Sequence, residues 1–271
     1  MTIALDEFAR RIRLAALDLC HCKRTSHIGG ALSVADILAV LYGDVMRIAP
    51  DLASDPVRDR LFYSKGHACV ALYAALDIRG FFPAGGLREG FIADGSRFTS
   101  HVSHRLPGIE LSTGSLGHAL GVACGSALAG KRRSLSYSVF TVLGDGELDE
   151  GSNWEAILFA AHNRLDNLIA IVDYNKLQSF GTVEAVTGLE PLAGKFRAFN
   201  WSVIELDGHD LSAIKSALSV AKARRQGRPH CIIAHTVKGK GVSFMEGQLA
   251  WHYKSPSDAD LHAARVELGQ L

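Results

Sequence analysis

Two apolar runs joined by one amphipathic stretch constrain the fold of this chain more than any other sequence feature. Tyr137–Leu143 and Leu168–Tyr174 are rich in β-branched and aromatic residues, which is typical of buried strands, and Asn153–Arg164 between them has the pattern of a helix. A strand, a helix and a second strand in this order predict two adjacent, parallel strands. Their carboxyl ends then open on the same edge of the sheet, where open α/β folds bind ligands.

Polar and small residues follow each of these strands. Gly144, Asp145 and Gly146 come directly after the first run, and Asn175 comes directly after the second. An Asp carboxylate and an Asn amide are oxygen ligands that suit Mg²⁺ or Ca²⁺, and one carboxylate suffices when a bound diphosphate adds negative charge. The two glycines leave room for a phosphate. The pattern Ser152–Glu155 predicts a capping box, and a helix that begins there would favour the diphosphate through its amino end.

The segment from Gly144 to Phe180 resembles the thiamine diphosphate motif of the transketolase family. The resemblance implies that Asp145, Asn175 and the carbonyl of Leu177 hold a Mg²⁺ or Ca²⁺ ion, while Gly146 packs against the diphosphate. Further segments match the transketolase pattern in chain order: Ser26–Gly30, Ser64–Ala68, His101 to Glu110, Ser112–Gly117, and His252 after the loop Lys238–Gly241.

A site for thiamine diphosphate follows from this resemblance. Four histidines would line the cleft above the thiazolium ring as catalytic residues, namely His27, His67, His101 and His252. Imidazole suits this role because its ordinary pKa lies near neutrality. The cofactor would be bound by His67, Ser115, Leu116, Gly117, Gly144, Asp145, Gly146, Glu147, Glu150, Asn175 and Leu177. Any one histidine could instead only cap a helix or bond within the core, and this is the favoured interpretation for His104, His118 and His209.

Three positions near the expected site need comment. The family usually has Gly-Gln-Gly where this chain has Gly117, His118 and Ala119, which puts the packing of the cofactor there in question. A His-Pro pair is common where His101 is followed by valine, which leaves the accepted substrate open. Glu150 matches an acidic position that the family uses at a subunit interface, although an exposed carboxylate at a helix start is a competing interpretation.

The resemblance implies a transferase that moves a two-carbon ketol unit from a ketose phosphate to an aldose phosphate. A chain of 271 residues covers only the first of the three domains of complete transketolases. We therefore expect one domain, 1–271, that is the N-terminal subunit of a split transketolase, with a partner that carries the pyrimidine-binding and C-terminal domains and two copies of each chain. Alternatives are another split thiamine diphosphate enzyme, resembling 1-deoxyxylulose-phosphate synthase or decarboxylating a 2-oxo acid, and a non-catalytic cofactor-binding module.

Composition supports a buried core and excludes several classes of partner. Apolar residues make up 48% of the chain, and a net charge of +1 gives no general attraction to nucleic acid or to an anionic membrane. No apolar run approaches the roughly 18 residues of a spanning helix. Asp6 and Glu7 stand where a signal peptide would be apolar, so we expect a cytoplasmic protein. Five cysteines, an odd number, predict free thiols, and the spacing of Cys20 and Cys22 is unusual for a zinc site.

The order of predicted elements defines the fold class. Strands that alternate with helices predict an α/β fold, a doubly wound and mostly parallel sheet with helices on both faces. Helices are expected at Leu5–Leu19, Leu32–Leu41 with Ser33 as cap, His67–Arg79, Leu116–Leu128 and Asp210–Arg224, and further strands at Ser202–Leu206 and His230–Thr236; the connections Phe81–Ser100 and Lys176–Lys195 are expected to be loops.

Two other motifs are weaker interpretations. Gly125–Lys131 spells most of a P-loop, but Arg132 replaces the hydroxyl residue that would touch Mg²⁺, and the segment ends a predicted helix where a P-loop should follow a strand. Gly144 and Gly146 could begin a dinucleotide fingerprint, but Asp149 stands in place of the third glycine.

Overall fold

A computed structural model describes residues 3–270 of the chain. The expected domain of residues 1–271 therefore includes three positions, 1, 2 and 271, that lie outside this description.

A five-stranded, all-parallel sheet forms the centre of the molecule, with the strand order β1-β2-β3-β5-β4. The predicted pair of neighbours is confirmed, because β2 and β3 are adjacent and Gly144 is paired with Asp173 at their carboxyl ends. The strands are β1 Arg60–Tyr63, β2 Val139–Gly144, β3 Leu168–Tyr174, β4 Ser202–Asp207 and β5 His230–His235.

Helices cover both faces of the sheet, as the sequence predicts. Successive residues of a strand point to opposite faces. Phe140 and Val142 therefore belong to one apolar core, with residues of α1–α4 and α10, and Val139 and Leu143 belong to a second core, with residues of α6, α7 and α9. The helices are α1 Leu5–Lys23, α2 Ile28–Ser33, α3 Ala35–Val40, α4 Cys69–Ile78, α5 Gly86–Gly90, α6 Ala119–Arg132, α7 Gly151–His162, α8 Val183–Val186, α9 Leu192–Ala198, α10 Leu211–Ala223 and α11 Asp258–Glu267.

The predicted helix Leu32–Leu41 is confirmed over Ala35–Val40, but its predicted cap, Ser33, is wrong. Ser33 instead ends α2, α3 follows after Val34, and a π-helical turn continues over Leu41–Val45. The physical reason is that the Ser33 hydroxyl is buried and bonds to the Asp173 carboxylate at 2.7 Å, so it does not cap a helix start.

The predicted capping box at Ser152 and Glu155 is also wrong. Helix α7 begins at Gly151, and its N-cap residue Glu150 makes no side-chain capping bond. The Ser152 hydroxyl donates to the backbone carbonyl of Gly117 at 2.8 Å, so it ties α7 to the loop before α6.

Several elements differ from expectation in extent. Strand β1 and helix α11 were not predicted, and α5 lies inside the expected loop Phe81–Ser100. Helix α8 lies inside the expected loop Lys176–Lys195, and α9 begins inside this loop and extends beyond it to Ala198. The segment Gly125–Lys131 lies within α6, which confirms that it is helical and is not a phosphate-binding loop after a strand. The five cysteines are unpaired. No helix within residues 3–270 has both the length and the apolar character needed to cross a membrane.

Candidate active site

A cleft of about 270 Å³ lies at the carboxyl edge of the sheet, where the residues after β1, β2, β3 and β5 meet. Eleven of the site residues predicted from the sequence line it: His27, His67, His101, Leu116, Gly144, Asp145, Gly146, Glu147, Asn175, Leu177 and His252. Segments that are far apart in the sequence thus meet at one cleft.

Three predicted cofactor-binding residues, Ser115, Gly117 and Glu150, do not line this cleft. Gly117 is buried and its N–H donates to the Glu147 carboxylate at 2.8 Å, which places it behind the cleft wall. A Cβ on Gly117 would lie 2.8 Å from the Glu150 Cβ, so the two residues pack against each other.

Asp145 and Asn175 lie at the ends of adjacent strands and are held by the backbone. The Asp145 carboxylate accepts bonds from the N–H groups of Gly146 at 2.7 Å and Lys176 at 2.6 Å, which tie the end of β2 to the end of β3. The Asn175 amide oxygen accepts from Leu177 N–H at 3.1 Å. Burial, followed by the charge of Asp173, raises the pKa of Asp145 to about 6. A cation beside Asp145 would favour its ionised form.

The Leu177 carbonyl already has one partner. Lys238 donates from Nζ to this oxygen at 2.8 Å and to His252 Nδ1 at 2.9 Å. Burial lowers the pKa of Lys238 to about 8, although the charge of Asp145 acts in the opposite direction. A carbonyl oxygen has two acceptor positions, so the Lys238 bond leaves one of them for an ion.

Three of the four predicted histidines form a cluster. The ring centroids of His27 and His252 are 4.8 Å apart, those of His27 and His67 5.4 Å, and those of His67 and His252 6.2 Å. A backbone bond of 2.9 Å from His27 N–H to the His252 carbonyl holds two of them together. His101 also lines the cleft, and its ring packs against Gly114.

The pKa values of all three histidines in the cluster are lowered, which favours neutral imidazoles at pH 7. Burial, with smaller contributions from His101 and Lys238, lowers the pKa of His27 to about 4. Burial and then Lys238 lower the pKa of His252 to about 3, and burial places the pKa of His67 well below its ordinary value. Because Lys238 donates to Nδ1 of His252, the ring hydrogen of His252 lies on Nε2, which makes that atom a donor.

A buried ion pair supports the floor of the cleft and was missed by sequence reasoning. Lys65 is 1% exposed and pairs with the fully buried Asp173, which also accepts bonds from Ser33 and Thr236. Lys65 donates a second bond to the Gly30 carbonyl at 2.7 Å. The available signal was a carboxylate inside the apolar run of β3, because a buried charge requires a partner.

The residues present fit a metal-bound diphosphate. A Cβ on Gly144 would have no atom closer than 3.9 Å, so the backbone there is open to a ligand. Gln178 and Glu147 line the cleft, and each has one buried side-chain atom, Nε2 and Oε2 respectively, that has no hydrogen-bond partner within residues 3–270. Within residues 3–270 no three His, Cys, Asp or Glu side chains converge as metal ligands. The expected ligand set contains only one carboxylate, completed by an amide, a carbonyl and phosphate oxygens, and such a set suits Mg²⁺.

Comparison with known proteins places the chain in a family. Residues 5–270 match the family described as "Transketolase, thiamine diphosphate binding domain", and the chain belongs to this family. It is 44% identical to the 6-deoxy-6-sulfo-D-fructose transketolase subunit SqwG of Clostridium sp. (strain MSTE9), over 98% of this chain and 96% of that protein. It is 38% identical to one of the subunits of the apulose-4-phosphate transketolase of Phocaeicola vulgatus, over 99% and 94% of the two chains.

Solved structures agree with this membership. The transketolase from Leishmania mexicana superimposes with a TM-score of 0.94 at 29% identity, and the match covers 100% of this chain and 42% of that one. The transketolase of Campylobacter jejuni gives a TM-score of 0.92 at 30% identity, with 98% and 42% of the chains covered. The resemblance to transketolases is thereby confirmed, and the match over nearly the whole of two transketolase subunits supports the prediction of a split enzyme.

Proposed function

We propose that this chain is the diphosphate-binding subunit of a transketolase that transfers a two-carbon ketol unit between phosphorylated or similarly anionic sugars. The observation that carries the proposal is the meeting of Asp145, Asn175 and the histidine cluster in one cleft of a transketolase-type domain. The proposal includes a partner chain, because this chain matches nearly the whole length of two proteins that are named as transketolase subunits. The partner carries the pyrimidine-binding and C-terminal domains, and the assembly holds two copies of each chain in the cytoplasm.

Cofactor binding is assigned to the ends of β2 and β3. Asp145, Asn175 and the Leu177 carbonyl hold Mg²⁺ or Ca²⁺, and Gly144 gives the diphosphate room. Gly146 also packs against Gln178, because a Cβ there would lie 3.0 Å from Gln178 Cγ. Gln178 lines the cleft, and its Nε2, which has no partner within residues 3–270, is assigned as a donor to the ligand. When bound, thiamine diphosphate supplies the electron sink for breaking and forming the carbon–carbon bond.

The histidine cluster is assigned to the sugar. A neutral imidazole donates a hydrogen bond from one ring nitrogen and accepts one at the other. This combination suits a substrate with several hydroxyl groups better than it suits a plain 2-oxo acid. His252 offers Nε2–H as a donor because Lys238 bonds to its Nδ1. His27 and His67 complete the cluster and exchange protons with substrate hydroxyls, a role that typically contributes about 10²-fold to 10⁴-fold to the rate.

The anionic end of the sugar is assigned to the partner chain. Both lysines that line the cleft are engaged, Lys65 with Asp173 and Lys238 with Leu177 and His252. Two relatives are named for 6-deoxy-6-sulfo-D-fructose and apulose 4-phosphate, which carry different anions. A site outside this cleft that accepts either a phosphate or a sulfonate explains how related subunits serve different sugars.

Calorimetry on the assembled pair tests the cofactor site. Thiamine diphosphate with Mg²⁺ is titrated into the wild type, Asp145→Ala and the control Asp149→Ala, whose carboxylate is exposed on the same segment. Asp145→Ala is expected to abolish measurable binding, because the ion loses its only carboxylate beside the diphosphate. Asp149→Ala is expected to bind as the wild type does. Equal affinities in all three proteins would reject the metal assignment.

Ketol transfer tests the reaction itself. The pair is assayed with a panel of ketose phosphates and sulfonated ketoses as donors and aldose phosphates as acceptors. We expect transfer from at least one donor, and His67→Ala is expected to bind the cofactor while it slows turnover by about 10²-fold or more. A pair that binds the cofactor but transfers no ketol unit from any donor would falsify the transketolase assignment and favour a decarboxylating enzyme or a binding module.

A further inference from the structure

His209 lies outside the cleft, in the turn between β4 and α10, and connects two parts of the molecule. Its Nδ1 is 2.7 Å from the Asp36 carboxylate of α3, and its Nε2 accepts a bond of 2.8 Å from the backbone N–H of Val237. Since Nε2 acts as an acceptor, the ring hydrogen lies on Nδ1 and is donated to Asp36. The side chain is 12% exposed, so these two bonds face little competition from water.

The Asp36 end of this connection is fixed. Arg13 of α1 donates two bonds to the Asp36 carboxylate, at 3.1 and 2.5 Å, in the bidentate geometry that gives such pairs their directionality. Burial by itself would raise the pKa of Asp36, but the bonds from His209 and Arg13 outweigh it and hold the pKa below its ordinary value. A buried carboxylate anchored to two helices therefore orients the His209 ring.

The Val237 end of this connection lies one residue before the cleft residue Lys238. Val237 directly precedes Lys238, whose ammonium group contacts the Leu177 carbonyl and His252. The backbone bonds from Gly239 N–H to the Gly29 carbonyl at 2.9 Å and from Gly247 N–H to the Lys238 carbonyl at 2.8 Å hold the residues after Val237. Before Lys238 the loop is held by the bonds of Thr236 to the Tyr174 carbonyl and the Asp173 carboxylate, and by the bond of Val237 to His209. The His209 bond is the one adjacent to Lys238, so this ring contributes to the direction in which Lys238 enters the cleft.

We propose that His209 is a positioning residue, which fixes the loop Thr236–Gly241 so that Lys238 reaches Leu177 and His252. The measurement of cofactor affinity rests on the proposed function, whereas the measurement of loop order does not. The ring does not line the cleft and acts through the backbone of Val237. Its removal leaves the Val237 N–H and the Asp36 carboxylate each without one partner inside the protein, a condition that costs more than the loss of an average hydrogen bond.

Two substitutions of His209 distinguish the effect of its two hydrogen bonds from the effect of side-chain volume. His209→Ala removes both bonds, whereas His209→Gln offers an amide N–H to Asp36 and an amide oxygen to Val237. His235→Gln serves as the control, because His235 is the last residue of β5, directly before the loop, and pairs with Glu205 at 3.5 Å but makes no side-chain bond to residues 236–241. Hydrogen exchange of residues 236–242, followed by mass spectrometry on the full chain, measures loop order without any cofactor.

We expect His209→Ala to speed exchange in residues 236–242 by about tenfold, with little change in the strands of the central sheet. In the assembled pair the same variant is expected to weaken the apparent affinity for thiamine diphosphate with Mg²⁺ by about tenfold, while kcat at saturating cofactor stays within about twofold. His209→Gln should restore most of both losses, and His235→Gln should behave as the wild type does.

Two outcomes would overturn the inference. One is wild-type exchange of residues 236–242 in His209→Ala. The other is a uniform rise of exchange over the whole chain that His209→Gln does not reverse, which would mark a general contribution to stability. If the pair fails to bind thiamine diphosphate at all, the proposed function is wrong, whereas the exchange result still decides the role of His209.

Discussion

The Lys65–Asp173 pair gives the sharpest test of how the cleft floor is built. Both side chains are almost completely buried, with exposed fractions of 2% for Lys65 and 0% for Asp173, and Asp173 also accepts bonds from Ser33 and Thr236. Lys65→Met leaves a buried carboxylate with two hydroxyl donors, and Asp173→Asn leaves a buried ammonium without its counter-ion. Removing one member of a buried pair costs about 3–5 kcal/mol, which is about a fifth or more of a typical free energy of unfolding of about 5–15 kcal/mol.

The double variant Lys65→Met/Asp173→Asn distinguishes the interaction energy between Lys65 and Asp173 from the interactions of each residue with its other neighbours. It contains no unpaired charge, and the introduced amide would keep an acceptor for one hydroxyl. We expect the double variant to be destabilised by at least about 2 kcal/mol less than the sum of the two single variants. Urea unfolding of the full chain, followed by circular dichroism, measures the four free energies of unfolding.

An exposed pair supplies the control for this cycle. Lys215 and Asp44 approach to 2.8 Å, but their side chains are 48% and 37% exposed. Lys215→Met is expected to cost less than about 1 kcal/mol. If the Lys65 and Asp173 variants were additive within about 0.5 kcal/mol, the two groups would not be coupled and the reasoning would be refuted.

Three further predictions concern the cleft. The pKa of His27 is about 6.5 in the unfolded chain and about 4 in the folded chain. Between these two pH values the imidazole is protonated in the unfolded chain but neutral in the folded chain, so the free energy of unfolding falls as the pH falls. His27→Asn removes the titrating group, and asparagine tolerates the positive φ of 72° at this position. The variant should reduce the slope of the free energy of unfolding against pH by up to about 1.4 kcal/mol per pH unit, less the effect of solvent screening. Equal slopes for the wild type and the variant in urea unfolding would contradict this prediction. Gly66→Ala places a Cβ 2.6 Å from the backbone N of Gly114, so it should lower the free energy of unfolding by about 1–3 kcal/mol; no change in the urea midpoint would argue against that close packing. EDTA should remove thiamine diphosphate from the assembled pair and added Mg²⁺ should restore it, as measured by calorimetry, and binding that persists in EDTA would exclude the ion from the site.

The central part of the fold could be predicted from the sequence for a physical reason. Strands β2 and β3 are fully buried on both faces, so they read as nearly continuous apolar runs, interrupted only by Thr141 in β2 and Asp173 in β3. Strand β1 has four residues and begins with Arg60, which is only partly buried, so its run is too short to be distinguished from a loop. The break between α2 and α3 depends on the buried contact of Ser33 with Asp173, which is distant in sequence.

The candidate site was predictable where it follows directly from strand ends. Asp145 and Asn175 could be placed because adjacent parallel strands must end at the same edge. The roles of Lys65 and Lys238 could not be inferred in this way. Their ammonium groups bond to Asp173 and to Leu177, and these contacts exist only once the loops have packed. The two lysines appeared in the sequence only as members of motifs that resemble those of transketolases.

The backbone bond from His27 N–H to the His252 carbonyl has a consequence for how the enzyme is assembled in the cell. These residues stand near opposite ends of the described chain, so the pocket stays incomplete until the ribosome has made His252 and released it for folding. Contacts of such long range form late, after the local ones that lower their entropic cost. A partner that recognises the finished pocket would therefore join only a chain that has reached this stage, and a truncated one would be left unpaired for proteolysis.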